Sequence, residues 1–152
     1  LSDYTAWLLE RSMKTLTVRF YEQQKNAKIL SSFLKNSSVI EKVHYPGVDD
    51  NEFYAIACKQ MNGFGAVISF ELIKNINPKE FLTSLELINP SMSFAGVEST
   101  MLSPAETSHQ LLTKVQRNEQ GIVDNLIRFS VGIEDPEDLI EDISLAIHKC
   151  KK

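Results

Sequence analysis

The length, composition and charge of this chain exclude several classes of protein. It has 152 residues, 43% hydrophobic and 24% charged, which are values typical of a globular domain with one core. The formal net charge of −4 provides no basic surface for nucleic acid or anionic lipid, so we expect neither as a partner. No apolar run approaches the ~20 residues that span a bilayer, and we expect no secretory signal. With two cysteines and three scattered histidines, we expect no disulfide framework, no metal site and a cytoplasmic location.

The first part of the chain predicts one long amphipathic helix over residues 4–35. Ser2 and Asp3 are suitable residues for an N-cap. Apolar residues then recur mostly at intervals of three, four or seven, at Trp7, Leu8, Met13, Leu16, Phe20, Ala27, Leu30 and Leu34. Such a helix would be about 48 Å long. A small domain cannot bury that length, so we expect one end to project against another part of the protein.

The rest of the chain alternates between strand and helix patterns. The predicted strands are 39–45, 66–72, 97–102 and 126–133, the predicted helices are 51–60, 78–87 and a last one from Pro136, and two short helical pieces are predicted within 104–120. The segment 88–93 is predicted to be extended or irregular. The pattern indicates an α+β fold, a two-layer sandwich of a mostly antiparallel sheet with helices on one face. We expect residues 1–152 to form a single domain.

The segment 126–133 contains one arginine, Arg128, in an otherwise mostly apolar run. Alternation places Arg128 beside Ser130 and Gly132 on one face, opposite an apolar face that belongs to the core. A guanidinium between small residues can bind a planar carboxylate through two parallel hydrogen bonds. The alternative is an edge-strand arginine that extends to solvent or pairs with a structural acid. Taken alone, the residues favour this alternative.

Motifs along the whole chain resemble those of one enzyme family. They are Leu8–Arg19, His44–Gly47, Asn62–Gly65, Ser69–Glu71, Ser93–Ser99, Ser103–Ala105 with Ser108 and His109, and Asn125–Ile143. Their order and spacing resemble the C-terminal domain of the Cys/Met-metabolism, or transsulfuration, family of pyridoxal-phosphate (PLP) enzymes. This family includes cystathionine γ-synthase, cystathionine β- and γ-lyases and methionine γ-lyase. The resemblance implies the small C-terminal domain of a fold-type I PLP enzyme that acts on sulfur amino acids.

Other motifs of that family do not occur in this sequence. The family attaches its cofactor to a lysine in a Ser-x-Thr-Lys context, whereas Lys14 matches a helix position of the family. A Ser-Gly-Met-type phosphate cradle and an aspartate for the pyridine nitrogen do not occur either. The family carries these groups in a large N-terminal domain. The resemblance therefore implies no catalytic or cofactor-binding residue here, an N-terminal PLP domain as partner, and no activity of this chain alone.

The resemblance implies substrate-binding roles for Arg128, Ser93, Phe94 and Met92. Arg128 matches the arginine that binds the substrate α-carboxylate, and Ser93 matches the serine beside it, with backbone N–H groups near Ser93 and Phe94 assisting. Met92 stands where many members with γ-chemistry carry a glutamate, and a thioether cannot pair with a distal ammonium. The sequence therefore favours β-elimination from cystathionine, with γ-synthase, γ-lyase and methionine γ-lyase chemistry as alternatives. Phe94 and Ala95 replace the usual Leu-Gly, which changes the expected shape of the pocket.

A function of another class also fits the sequence, namely a stand-alone non-catalytic module that binds an amino acid or a protein. For an intact enzyme, the resemblance implies an amino-acid substrate and a homo-oligomer. We expect the acidic run 134–138 to be a solvated helix cap and not a metal site. We expect Glu98 and Ser99 to hold their own loop by local hydrogen bonds.

Overall fold

The computed structural model describes residues 1–151, and within them it has six helices and five strands. The helices are α1 (Asp3–Met13), α2 (Leu16–Lys35), α3 (Tyr54–Gln60), α4 (Pro78–Ser84), α5 (Lys114–Glu119) and α6 (Pro136–Cys150). The strands are β1 (Ile40–His44), β2 (Val67–Leu72), β3 (Asn89–Pro90), β4 (Thr100–Leu102) and β5 (Leu126–Ser130). The predicted α+β class is therefore confirmed.

The five strands form one mixed sheet in the order β1-β2-β5-β4-β3. Three pairings are antiparallel, but β3 pairs with β4 in parallel, with Asn89 opposite Thr100 and Pro90 opposite Met101. Parallel neighbours cannot be joined by a tight hairpin, so residues 91–99 must return the chain to the start of β4. The prediction of a mostly antiparallel sheet therefore missed this one pair. Strand β5 lies at the centre of the sheet, between β2 and β4.

The predicted helix over residues 4–35 is wrong at its middle, where the chain forms two helices. Thr15 leaves the helical conformation, with φ −108° and ψ 2°. The Arg19 side chain donates to the Ser12 carbonyl oxygen (2.9 Å) and to Thr15 Oγ1 (3.3 Å), which satisfies groups that a helix end leaves unpaired. The sequence has no glycine or proline at the break, so the spacing of its apolar residues predicts one uninterrupted helix. The predicted cap is confirmed, because Thr5 N donates to Ser2 Oγ.

The core lies between one face of the sheet and helices α2, α4 and α6. Fully buried residues of the sheet and of these three helices meet there, including Ala27, Leu30, Leu34, Ile68, Phe70, Phe81, Phe129, Leu139, Ile143 and Ala146. Phe70 and Phe81 contact edge to face, with 6.3 Å between ring centroids. Helix α6 buries Leu139, Ile143, Ala146 and Ile147, and Ile140 is half-buried. Residues 104–120 contain α5 and turns instead of two helical pieces.

Helix α1 and the first turns of α2 leave their apolar side chains exposed. These residues, which we call the N-terminal apolar face, are Tyr4, Trp7, Leu8, Leu9, Met13, Leu16, Val18, Phe20 and Tyr21. An open groove of about 670 Å³ lies beside Leu16, Phe20 and Met61. The first buried residue of the chain is Gln23. The helical N-terminus therefore lies outside the core of the domain.

Among residues 1–151, no helix combines the length and the hydropathy that crossing a membrane requires. Within the same residues, no group of three or more histidine, cysteine or acidic side chains is placed to hold a metal ion.

Candidate functional site

The loop of residues 91–99 covers the face of β5 that carries Arg128. Alternation buries the side chains of Ile127 and Phe129 in the core, so Arg128 and Ser130 face the other way. There Ala95 N donates a hydrogen bond to Ser130 Oγ (2.9 Å), and Gly132 N donates to Ser99 Oγ (2.9 Å). The polar face predicted for this strand is thus in contact with one specific loop.

The guanidinium of Arg128 has donors that remain unused. Its Nη2 donates to the carbonyl oxygens of Met92 (3.1 Å) and Ser93 (3.4 Å), and the Phe94 ring lies over it, 5.2 Å from Cζ to the ring centroid. Among residues 1–151, its buried Nε has no hydrogen-bond partner and no carboxylate forms an ion pair with it. A half-buried cation without an acid is chemically suited to bind an anion.

The structure brings all four predicted site residues together. Met92, Ser93 and Phe94 are consecutive in the loop, and each contacts Arg128 through its carbonyl oxygen or its ring. The side chains of Met92 and Phe94 are 64% and 62% exposed, so the cluster opens outward. Two parts of the alternative interpretation of Arg128 are wrong, because β5 is a central strand and no structural acid pairs with the guanidinium in the described chain. Its third part, a side chain that extends to solvent, is not contradicted, since the hydrogen bonds of Nη2 are exposed.

The backbone N–H groups of the loop differ in their hydrogen bonds. Ser93 N is bonded to Ser91 Oγ (3.2 Å) and Ala95 N to Ser130 Oγ, whereas Phe94 N has no partner among residues 1–151. Ala95 adopts a φ of +61°, a left-handed conformation that a side chain disfavours. Phe94 N belongs to the same trans peptide as the Ser93 carbonyl oxygen, which accepts from Arg128, so this N–H points away from the guanidinium.

Sequence analysis missed the residues that hold this loop in place. Glu134 was expected to be solvated, but its carboxylate accepts from Ser99 N (2.5 Å) and Ser99 Oγ (2.9 Å). The prediction of local hydrogen bonds for Ser99 is likewise wrong, because its partners Gly132 and Glu134 follow the central strand. The signal was the alternation itself, which continues past β5 through residues 128, 130, 132 and 134.

The Tyr-Pro-Gly motif has a structural role in this chain. Tyr45 is buried, its hydroxyl donates to the Gly65 carbonyl oxygen (3.0 Å), and burial raises the pKa of Tyr45 to about 12. Its ring contacts Phe64 edge to face. A Cβ added at Gly47 would lie 2.6 Å from Tyr45 and 2.7 Å from Phe64, so that turn requires a glycine. Two of the family-like motifs are thus packed against each other.

The sequence of this chain is similar to those of one family of known proteins. Residues 1–148 match the family described as Cys/Met metabolism PLP-dependent enzyme. The cystathionine beta-lyase of Lactococcus lactis subsp. cremoris strain MG1363 is 41% identical over 149 residues, which are 98% of this chain and 39% of that protein. The L-methionine gamma-lyase of Fusobacterium nucleatum subsp. nucleatum is 38% identical over 150 residues, with 98% and 38% covered.

The fold agrees with a solved structure from the same group. The crystal structure of cystathionine gamma-lyase from Lactobacillus plantarum complexed with L-serine aligns with a TM-score of 0.94 at 39% identity, and the alignment covers 99% of this chain and 40% of that one. This chain thus spans about two-fifths of the length of the relatives that it matches. Because the family match extends over nearly all of its residues, the chain belongs to the Cys/Met-metabolism family of PLP-dependent enzymes.

Proposed function

We propose that this chain is the substrate-side, C-terminal domain of a PLP-dependent C–S lyase, in which Arg128 binds the α-carboxylate of a sulfur amino acid. The observation that carries the proposal is the guanidinium of Arg128, which has a buried, unpartnered Nε and no acid beside it in the described chain. The Phe94 ring supports the same role, since it lies over the guanidinium, 5.2 Å from Cζ to the ring centroid, without using any of its hydrogen-bond donors. Ser93 would lie beside the bound carboxylate.

We favour β-elimination from cystathionine, because Met92 offers no charge for a distal ammonium group. The alternatives are cystathionine γ-synthase, cystathionine γ-lyase and methionine γ-lyase chemistry, and the relatives reported above carry β- and γ-lyase names. L-Serine, the ligand in the Lactobacillus plantarum structure, has the α-carboxylate and α-amino group that all of these substrates share. It therefore supports carboxylate binding and leaves the choice between β and γ open.

The described residues around Arg128 fit a carboxylate and do not fit the cofactor. The contacts of the guanidinium are two carbonyl oxygens and a phenyl ring, with no lysine and no phosphate cradle among them. PLP supplies an electron sink for the substrate Cα when it is bound. We propose that an N-terminal domain holds it and that this chain alone is inactive. The intact protein would be a cytoplasmic homo-oligomer.

The N-terminal apolar face supports the need for such a partner domain. Trp7 and Leu9 are more than half exposed, as are Met13 and Val18. Soluble monomers rarely leave so many large apolar side chains of one short segment exposed. The same face would also suit the alternative of another class, a stand-alone module that binds an amino acid or a protein.

The test is the substitution Arg128→Ala in the full-length protein. We expect KM for the amino acid to rise by roughly one to two orders of magnitude, because a hydrogen bond to a charged group is worth about 1.5–3 kcal/mol. Arg128→Lys should restore only part of the loss, since an ammonium cannot bind both oxygens in one plane. The control is Lys28→Ala, which removes an exposed positive charge from α2. An unchanged KM in Arg128→Ala would remove this residue from the site.

A further inference from the structure

Glu134 lies beyond the end of β5, and both of its carboxylate oxygens are bonded to one residue of the 91–99 loop. Oε1 accepts from Ser99 N at 2.5 Å, and Oε2 accepts from Ser99 Oγ at 2.9 Å. Ser99 is only 1% exposed, and its hydroxyl also accepts from Gly132 N at 2.9 Å. The carboxylate therefore closes a compact group of hydrogen bonds between segments that lie about 35 residues apart in the chain.

The backbone around this group has no room to rearrange. A Cβ added at Gly132 would lie 2.2 Å from Glu134 Oε2, 2.4 Å from the Val97 carbonyl oxygen and 2.6 Å from Ser99 N. Ile133 N donates to the same Val97 oxygen at 3.0 Å. Residues 97–99 are thus held directly against residues 132–134, with the Glu134 carboxylate filling the space that a side chain would need.

Helix α2 braces both segments from the core side. Gln23 Nε2 donates to the Gly96 carbonyl oxygen at 2.6 Å. Asn26 Nδ2 donates to the carbonyl oxygens of Gly132 (3.3 Å) and Glu134 (2.7 Å). Gln23 and Asn26 are both buried, so these hydrogen bonds are shielded from water. The position of Glu134 is therefore fixed by the core.

The part of the loop that faces Arg128 depends on the hydrogen bonds between Glu134 and Ser99. Ala95 lies between Phe94 and residues 97–99, which are held against the end of β5. It adopts a left-handed conformation that residues with a Cβ disfavour. Thr100 Oγ1 donates to the Ser93 carbonyl oxygen at 2.8 Å and fixes the loop from the other side. If the Ser99 end were released, Ala95 could relax, and Ser93 and Phe94 would move away from the guanidinium.

We propose that Glu134 is a positioning residue for the carboxylate site: by holding Ser99, it keeps Ser93 and Phe94 in place beside Arg128. The inference rests on the proposed function of Arg128 and adds a residue that never touches the substrate. Glu134 acts through the loop, so its removal should weaken binding of the amino-acid carboxylate more than it affects turnover.

The experiment compares Glu134→Gln with Glu141→Gln in the full-length protein. Glutamine keeps the size of the side chain but cannot accept both hydrogen bonds from Ser99, whereas Glu141 is exposed on α6 and makes no side-chain hydrogen bond among residues 1–151. We expect KM for the amino acid to rise about tenfold in Glu134→Gln, the effect of about one charged hydrogen bond. We expect kcat to stay within about twofold. Glu141→Gln should match the parent protein.

Two further measurements do not depend on turnover. Calorimetric binding of L-serine should weaken by a similar factor in Glu134→Gln, while binding of ethanolamine, which has no carboxylate, should not change. Amide hydrogen exchange of the peptide covering residues 93–99 should become faster, and exchange in α6 should not. If Glu134→Gln does not fold, Ser99→Ala carries the same test, because it removes the hydroxyl that links Glu134 to Gly132.

The outcomes separate this inference from the proposed function. An increase in KM for Arg128→Ala together with parent-like KM and loop exchange for Glu134→Gln would overturn the positioning role and keep the carboxylate site. Equal losses of ethanolamine and L-serine binding would also overturn it, because they would indicate general damage to the fold. An unchanged KM in both Arg128→Ala and Glu134→Gln would reject the proposed function, and the positioning role would be rejected with it.

Discussion

Ala95 combines a side chain with a left-handed backbone, at a position where the family-like motif usually has glycine. Its φ is +61°, and its N–H is fixed by Ser130 Oγ. A residue with a Cβ loses roughly 1–2 kcal/mol of stability in the left-handed conformation. Glycine avoids this steric cost, but it loses part of the advantage because its unfolded chain has more conformational entropy. Ala95 therefore carries local strain directly beside the candidate carboxylate site.

We predict that Ala95→Gly stabilises the domain by about 0.5–1 kcal/mol, the part of the strain that remains after the entropy cost of glycine. Urea denaturation followed by circular dichroism measures the change. The control is Ala55→Gly, at an exposed position within α3, which should destabilise by up to about 1 kcal/mol because glycine is a poor helix former. A loss of stability in both variants would contradict strain at Ala95.

Single residues were the scale at which sequence and structure agreed best for the candidate site. Period-two alternation placed Arg128 on the polar face of its strand, and the family-like motifs named Met92, Ser93 and Phe94, which the structure finds beside it. Glu134 was misjudged because acidic residues before a helix usually cap it in solvent. Its real partner, Ser99, is distant in sequence, so the alternation past β5 indicates the face on which Glu134 lies but does not identify that partner.

At the scale of elements, Asp142 connects α6 to the segment that leads into β3. It is buried, and its carboxylate accepts from the backbone nitrogens of Glu86 (2.8 Å), Leu87 (3.1 Å) and Ile88 (2.8 Å). These three N–H groups follow α4 and have no strand to pair with, so a side chain supplies their acceptor. Asp142 thereby fixes where the chain enters the parallel pair β3–β4, just before the loop that contacts Arg128.

We predict that Asp142→Ala destabilises the domain by about 3 kcal/mol, because it leaves buried backbone donors without acceptors. Asp142→Asn keeps one of the two acceptor oxygens and should lose about half as much. The midpoint of urea denaturation reports both changes. Asp138→Ala is the matched control, since Asp138 is exposed in the first turn of α6 and contributes at most about 1 kcal/mol through the helix dipole. Equal effects at the two positions would exclude the special role of Asp142.

Elements with strong local signals were predicted well, and elements set by distant contacts were not. Strands β1 and β2 and helix α6 begin within about a residue of their predicted starts, since turn residues or proline mark them. The break between α1 and α2 carries no such mark and depends on the Arg19 side chain. Strand β5 ends at Ser130, earlier than predicted, because residues 132–134 bond to the loop at Val97 and Ser99.

At the scale of the whole molecule, the N-terminal apolar face is not covered by any other part of the described chain. Helix α1 contributes no buried residue, although Tyr4 and Trp7 stack on each other at 5.9 Å between ring centroids. Farther along the same helical segment, Gln23 and Asn26 bond to the loop and to the end of β5. The N-terminal apolar face is thus followed directly along the chain by Gln23 and Asn26, the two side chains that hold the candidate site in place.

We therefore predict that the isolated chain self-associates in a concentration-dependent manner, because burying this face against a second copy removes apolar surface from water. Sedimentation velocity measures the association. Leu9→Lys combined with Val18→Lys should leave a folded monomer, whereas Val115→Lys, at an equally exposed apolar residue outside the face, should not change the association. A parent chain that stays monomeric at all concentrations would show that this face needs no partner. That result would weaken the case for a second domain on this surface and favour the stand-alone module.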